Sequence, residues 1–370
     1  MTKNEEKTFE VTKINKQYRC TTNIKSAIRK YLDSLNVSYK ESQTINLNGE
    51  SIKVDFLIKE HKLCIDCIRL YENSELYCES KALSNKNDLF KGSSYQLLQI
   101  FETLWYKDKR TRDCLKDKIA YICNKAKYRV YARECTVKPI KSSKEKADFI
   151  NANHVQGTSG SCIDLGLYNK DNTLVAILTF CKPRLAMGQK NEKFKDLNVY
   201  ELSRYCTLKD HCVVGGCSKL FKYFKDNYDW DKIITYADKR LSKANLYFNA
   251  GFMYHHESDG SYYYFKPITK DEWKADHNAL EMKYRFNFRK QELLKRYADT
   301  CNNWNTLYPN VPMTELNISH SQGFIKVYDS GNYYLEMINP NGLLCSEYEN
   351  TKAFHNAYCK KYKLNNFIIN

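Results

Sequence analysis

The chain has 370 residues, 42% of them hydrophobic, and sets 59 Lys and Arg against 43 Asp and Glu, a formal net charge of +16. That length accommodates two or three domains, and that apolar fraction excludes a disordered polymer. The positive surplus points to a polyanionic partner, nucleic acid before anionic membrane, and no apolar run reaches the length of a membrane span.

Cysteine usage narrows the setting. The 15 Cys are odd in number and scattered, which argues against a disulfide framework. The charged first twenty residues lack a secretory layout, so a reducing, cytoplasmic setting is expected. Cys64-Ile-Asp-Cys67 has no second pair to complete a zinc ribbon, and Cys206, His211, Cys212 and Cys217 are loosely spaced. Small buried hydrophobes are the plainer reading of both groups.

In chain order, residues 1–20 read as a polar tail. A helix is predicted to open after Thr21-Thr22-Asn23, with Ile24, Ile28, Tyr31, Leu32 and Leu35 on one face. Asn48-Gly49 between two alternating runs predicts a hairpin. Segments 62–70 and 95–101 read as strands separated by a variable loop. A helix near 113–123 completes an α/β unit over 21–128. A β-like run at 129–138 and a helix capped by Ser142-Ser143 open a second unit, and strands at 162–167 and 173–180 follow. After a basic loop at 182–196 come Tyr200-Glu-Leu-Ser-Arg-Tyr-Cys, Val213-Val-Gly-Gly-Cys-Ser-Lys, Ile233-Ile-Thr-Tyr-Ala-Asp and Asn245-Leu-Tyr-Phe-Asn-Ala-Gly-Phe. These read as strand, glycine turn, helix, strand and helix, and the second unit covers 129–268. Pro267 marks a boundary. A basic helix over 271–298, strands at 323–328 and 333–338 joined by Asp329-Ser-Gly-Asn332, and a helix near 351–362 form a small basic C-terminal region, 269–370. The expected fold class is α/β, in an α+β multidomain arrangement.

Two constellations carry chemistry. Asp55 ends one predicted strand, Asp66 lies in the next, and Glu102 closes a third. Phosphodiester hydrolysis uses a hard cation such as Mg2+, which takes oxygen ligands. The runs Val54-Asp-Phe-Leu-Ile, Lys62-Leu-Cys-Ile-Asp66, Leu70-Tyr-Glu-Asn-Ser-Glu75 and Tyr95-Gln-Leu-Leu-Gln-Ile-Phe-Glu-Thr-Leu-Trp105 resemble the N-terminal domain of phage homing endonucleases related to very-short-patch-repair nucleases. The resemblance implies a restriction-endonuclease-like fold and metal-dependent cleavage of double-stranded DNA within an infected bacterial host. It also implies Asp55 as the central metal ligand, Asp66 as the acid on the next strand and Glu102 as the acid after it. The family's His positions fall on Asn73, on Leu83 or Ser84, and on Gln99, and its first-helix Glu falls near Lys25. The imidazoles that serve as acid or base in such sites are therefore missing there.

The second constellation is the glycine turn. Gly215 and Gly216 before a helix allow backbone N–H groups to approach a phosphate. The order of elements over about 130–266 resembles an acetyltransferase-like core. That resemblance implies a coenzyme A-type donor held by Gly215, Gly216 and Ser218, with Tyr247 near the thioester. Glu201-Leu-Ser-Arg204, Thr235-Tyr-Ala-Asp238 and Leu246-Tyr-Phe-Asn-Ala-Gly-Phe252 also resemble phage DNA-modifying enzymes of the Mom type. By that likeness Glu201, Ser203, Arg204, Tyr236, Asp238 and Tyr247 line a pocket. Tight helix–strand packing for the glycines and a core role for the tyrosines is the plainer alternative.

Cations interleaved with rings suit phosphate contact and base stacking. Arg285, Arg289, Lys290 and Arg296, beside Phe286, Phe288 and Tyr297, form one candidate DNA surface. Arg184 and Lys190, with Lys182, Lys193 and Lys195, form a second. Three functions follow as expectations: a homing-type DNA endonuclease, a DNA-base-modifying transferase, and a non-catalytic DNA-binding protein with a degenerate nuclease unit.

Overall fold

The computed structural model describes residues 22–183 and 196–369. The predicted tail at 1–20, and Arg184 and Lys190 of the second basic patch, lie outside the described residues. The protein is mixed α/β, with several sheets and thirteen α-helices among the described residues.

Helix α1 (Ile24–Ser34) starts where Asn23 accepts a hydrogen bond from the Ser26 N–H, and it buries Ile24, Ile28 and Leu32. Strands β1 (Lys40–Leu47) and β2 (Glu50–Ile58) turn at Asn48 and Gly49, whose φ angles are 53° and 89°. Asn and Gly tolerate that left-handed conformation, and it sets the hairpin register. Strand β3 (Leu63–Ile68) runs antiparallel to β2, and β4 (Gln96–Phe101) parallel to β3. Helix α2 (Ala82–Asp88) occupies the stretch expected as a loop. Helices α3 (Glu102–Tyr106) and α4 (Lys109–Ile122) follow β4. Helices α1 and α4 cover one sheet face through Ile24, Ile28, Leu115 and Ile119.

Next come β5 (Tyr128–Tyr131), β6 (Thr136–Pro139), α5 (Ser143–Asn153, capped by Ser142), β7 (Ile163–Tyr168), β8 (Leu174–Cys181), β9 (Val199–Thr207), β10 (His211–Val214), α6 (Gly216–Asn227), β11 (Lys232–Asp238), α7 (Asn245–Ala250), β12 (Met253–Glu257) and β13 (Tyr262–Phe265). The last part holds α8 (Lys270–Ala275), β14 (Lys283–Tyr284), α9 (Lys290–Arg296), α10 (Ala298–Asn302), α11 (Trp304–Leu307), α12 (Glu315–Ser321), β15 (Ile325–Tyr328), β16 (Asn332–Ile338) and α13 (Cys345–Lys361). A seven-stranded sheet has the order β12-β16-β11-β9-β8-β7-β6. Strands β9 and β11 are parallel and pair only over Val199–Glu201 and Lys232–Ile234. Beyond that rung they diverge, and the gap becomes the cleft described below.

One expectation for the C-terminal part is corrected. The basic helix over 271–298 is broken. Tyr284 pairs with Tyr263 in a small sheet, and Arg285–Phe288 form a 3-10 turn that buries Phe288 with Tyr264 and Leu293. Strands β15 and β16 do not pair with each other: β15 joins β13, and β16 sits between β11 and β12. Residues 333–338 are all buried, the pattern of a central strand. Of the stretch 269–370, β16 completes the seven-stranded sheet, and β14 and β15 flank β13 in a separate one.

The N-terminal sheet is fixed to this assembly at its β4 edge. The Gln99 N–H donates to the Arg240 carbonyl, Gln96 Nε2 to the Leu241 carbonyl, and Asn87 Nδ2 to the Lys239 carbonyl. The buried Lys239 ammonium reaches Asp88 at 2.7 Å and Glu257 at 2.5 Å, and Lys91 pairs with the same two carboxylates. Charges buried this deeply are tolerated because each meets an opposite partner.

Candidate functional site

The register Phe56↔Ile65 and Leu57↔Cys64, carried one rung further, sets Asp55 beside Asp66. Asp55 Oδ2 accepts from the Cys67 N–H at 2.8 Å, and Oδ1 accepts from Lys25 Nζ at 3.2 Å. Its side chain keeps 31% exposure. Asp66 is buried, with Lys86 Nζ 2.6 Å from Oδ2 in an ion pair poorly angled for a hydrogen bond. Burial lifts its carboxyl above the ordinary range, Lys86 opposes the rise and Asp55 adds to it. The structure thus brings Asp55 and Asp66 together and places one lysine on each.

Glu102 does not join them. Its carboxylate accepts from the Leu70 N–H at 2.7 Å and from the Thr22 hydroxyl, and burial pushes it up to about 7. It ties the segments before α1 and after β3 to the start of α3. Among the described residues no group of three or more His, Cys, Asp and Glu gathers as metal ligands, the two cysteine groupings included. Mg2+ keeps much of its water and needs only one or two carboxylates beside a phosphate. Asp55, reachable from solvent, and Asp66, its buried neighbour, fit that requirement as a pair. The positions where the family resemblance implies His are structural. Asn73 donates to the Arg69 carbonyl, and Gln99 donates to the Leu83 carbonyl and accepts from Ser330. Sequence reasoning missed Lys86, because its helix read as a loop.

The second site is a cleft of about 700 Å3 where β9 and β11 part. Ser203, Arg204, Tyr236, Asp238 and Tyr247 line it, as do Gly215, Gly216 and Ser218; Glu201 is buried in β9 and is not part of its wall. Gly215 has φ 75°, so a glycine serves the turn. A Cβ on Gly216 would meet the Val213 side chain at 2.9 Å and the Tyr205 hydroxyl at 3.2 Å. The left-handed backbone accounts for Gly215, and close packing accounts for Gly216. Burial raises the Tyr247 hydroxyl to about 12, with a hydrogen bond to Thr235 opposing the rise. Asp238 is held in a fork by Arg240 at 2.7 Å. His154 is driven down to about 3, by burial first and then by Arg204, Lys118 and Arg110, so it is neutral. Lys118 and Gln96 come from the N-terminal unit. No local signal marks them, since docking alone brings them to the cleft.

The first basic patch is a surface. Arg285, Arg289, Lys290 and Arg296 are exposed, and Tyr284 and Phe286 keep 64% and 47% exposure. Arg289 lies 4.8 Å and Arg285 5.3 Å from the Phe286 ring centre. Lys283 and Lys295 pair with Glu281 and Glu292. Arg285, Arg289, Lys290 and Arg296 make no ion pair with a described residue.

Comparison with known protein families finds no match to this chain, and comparison with curated proteins finds none either. Among the described residues, no helix is long and apolar enough to cross a membrane.

Proposed function

We propose that this protein is a homing-type DNA endonuclease acting in the cytoplasm of an infected bacterial host. The observation that carries the reading is the Asp55–Asp66 pair on neighbouring strands, with Lys86 2.6 Å from Asp66. A sheet with β3 parallel to β4 and helices on its face supports a restriction-endonuclease-like unit. Asp55 and Asp66 would hold Mg2+, which when bound polarises a phosphate and activates water. Lys25 and Lys86 offset negative charge beside the pair and help seat a phosphate. Asn73 and Gln99 cannot take up a proton, so slow turnover is expected. Arg285, Arg289, Lys290 and Arg296 hold double-stranded DNA by its backbone. The test is nicking of supercoiled plasmid with Mg2+. Asp55→Ala is expected to lose activity by about a hundredfold or more, and parental activity in that variant overturns the reading.

One observation favours a second reading, a DNA-base-modifying transferase with an acetyltransferase-like middle unit. Five of the six side chains grouped by the Mom-type likeness line one cleft, between strands that part after a short parallel pairing. Mass spectrometry of nucleosides from expressing cells tests it: a new modified base supports the transferase, and unmodified DNA in several hosts removes it.

A further inference from the structure

We propose that the cleft between β9 and β11 binds a phosphate ester of mononucleotide size, gripped by Lys118 of α4 and not by the glycine turn of α6. This goes beyond both readings above and holds whether or not the acidic pair cleaves DNA.

The turn is already served from within the protein. The Tyr205 hydroxyl sits against Gly216 and faces the Cys217 amide, the first donor a phosphate would use. Lys219, the nearest cation in sequence, points away and donates to the Ala132 and Cys135 carbonyls at 2.9 and 2.5 Å. A pyrophosphate has little left to bind there.

The opposite wall has what the turn lacks. The Lys118 ammonium makes no hydrogen bond or ion pair with a described residue. Its side chain is half-buried and lines the cleft. The two carboxylates that influence it, Asp238 and Asp117, are engaged elsewhere. Arg240 holds Asp238 at 2.7 Å, and the Asp210 N–H donates to Asp117 at 2.6 Å. Lys243, also in the wall, donates to the Ser93 and Tyr95 carbonyls, which satisfy two of its hydrogens without cancelling its charge. Arg204 adds a third cation. Burial lowers the pKa of Lys118, and burial first, then Arg204 and Lys118, keeps a proton off His154. A pocket that repels protons attracts anions, and a half-buried ammonium without a counter-ion is costly until one arrives.

Size and lining set the class of ligand. A volume of about 700 Å3 suits a small molecule and excludes a duplex. Tyr121, Tyr205, Tyr236 and Tyr247 bring aromatic surface to the same space, where a base can pack while its phosphate meets Lys118.

The test is calorimetric titration of the full chain with each deoxynucleoside monophosphate, inorganic phosphate, coenzyme A and a short DNA duplex. At least one monophosphate is expected to bind with Kd below about 1 mM, and Lys118→Met to weaken it more than about tenfold. The thermal midpoint of Lys118→Met should hold or rise, because an uncompensated charge has gone. Lys118→Arg should keep most of the affinity, which carries the comparison if Lys118→Met does not fold. No binding of any monophosphate at about 1 mM, binding of the duplex alone, or coenzyme A bound more tightly and unaffected by Lys118→Met overturns the proposal. The readout is binding and requires no cleavage, so it fails separately from the nuclease reading.

Discussion

At the acidic pair each carboxylate faces one lysine, Lys25 on Asp55 and Lys86 on Asp66. In the cleft Lys118 faces none, because Asp238 and Asp117 are committed to other partners. Burial acts on both places, yet it lifts an acid in one and depresses a base in the other. A site balanced at rest can exchange one cation for another. A site left with surplus charge is prepared to take on the opposite ion.

The contrast can be broken most severely at Lys86. Lys86→Met strands Asp66 and should cost about 3–5 kcal/mol near neutral pH, as loss of one member of a buried pair does. Chemical denaturation measures it, and the loss should shrink in acid as Asp66 takes up a proton. Equal stability of Lys86→Met and Lys118→Met would erase the distinction. Glu102 tests whether the carboxylate outside the pair is structural. Its folded pKa of about 7 exceeds the ordinary 4.5, so the folded state binds the extra proton. The stability it contributes is full below 4.5 and is lost as pH rises through 7, about 3 kcal/mol in all. Glu102→Gln should flatten that part of the pH–stability curve, and an unchanged slope removes the assignment.

Smaller effects sharpen the cleft side. Gly216→Ala should cost about 1–3 kcal/mol through overpacking against Val213 and Tyr205, read as a drop in thermal midpoint. A neutral result would reopen the turn as a ligand cradle. Arg289→Ala should change stability little. It should lower the salt dependence of DNA binding by about one counter-ion, measured by fluorescence anisotropy across salt concentrations.

Much of the fold was legible where the signal is local. Asn23 and Ser142 cap the helices they precede, Asn48-Gly49 turns the hairpin, and the order from β9 to α7 follows the apolar runs and the glycine turn. The adjacency of Asp55 and Asp66 was also legible, because a short antiparallel connection fixes its own register. What escaped depends on distant packing. Helix α2 lacks a side-chain cap and buries only Leu83 and Asn87. The stretch from 283 to 288 looks helical in composition, but Tyr284 is drawn into a sheet and Phe288 into a core. Lys86 and Lys118 carry no mark of their roles, since each acquires its surroundings from an element distant in the chain.

Strand β16 imposes an order on synthesis. Strand β11 holds to β9 by a short ladder, and among the described residues β12 pairs with β16 alone. Until residue 338 has left the ribosome, both strands present open hydrogen-bonding edges, the kind of surface that recruits chaperones or other nascent chains. A premature stop codon between Phe265 and Asn332 would remove the middle of a sheet and leave a sticky fragment.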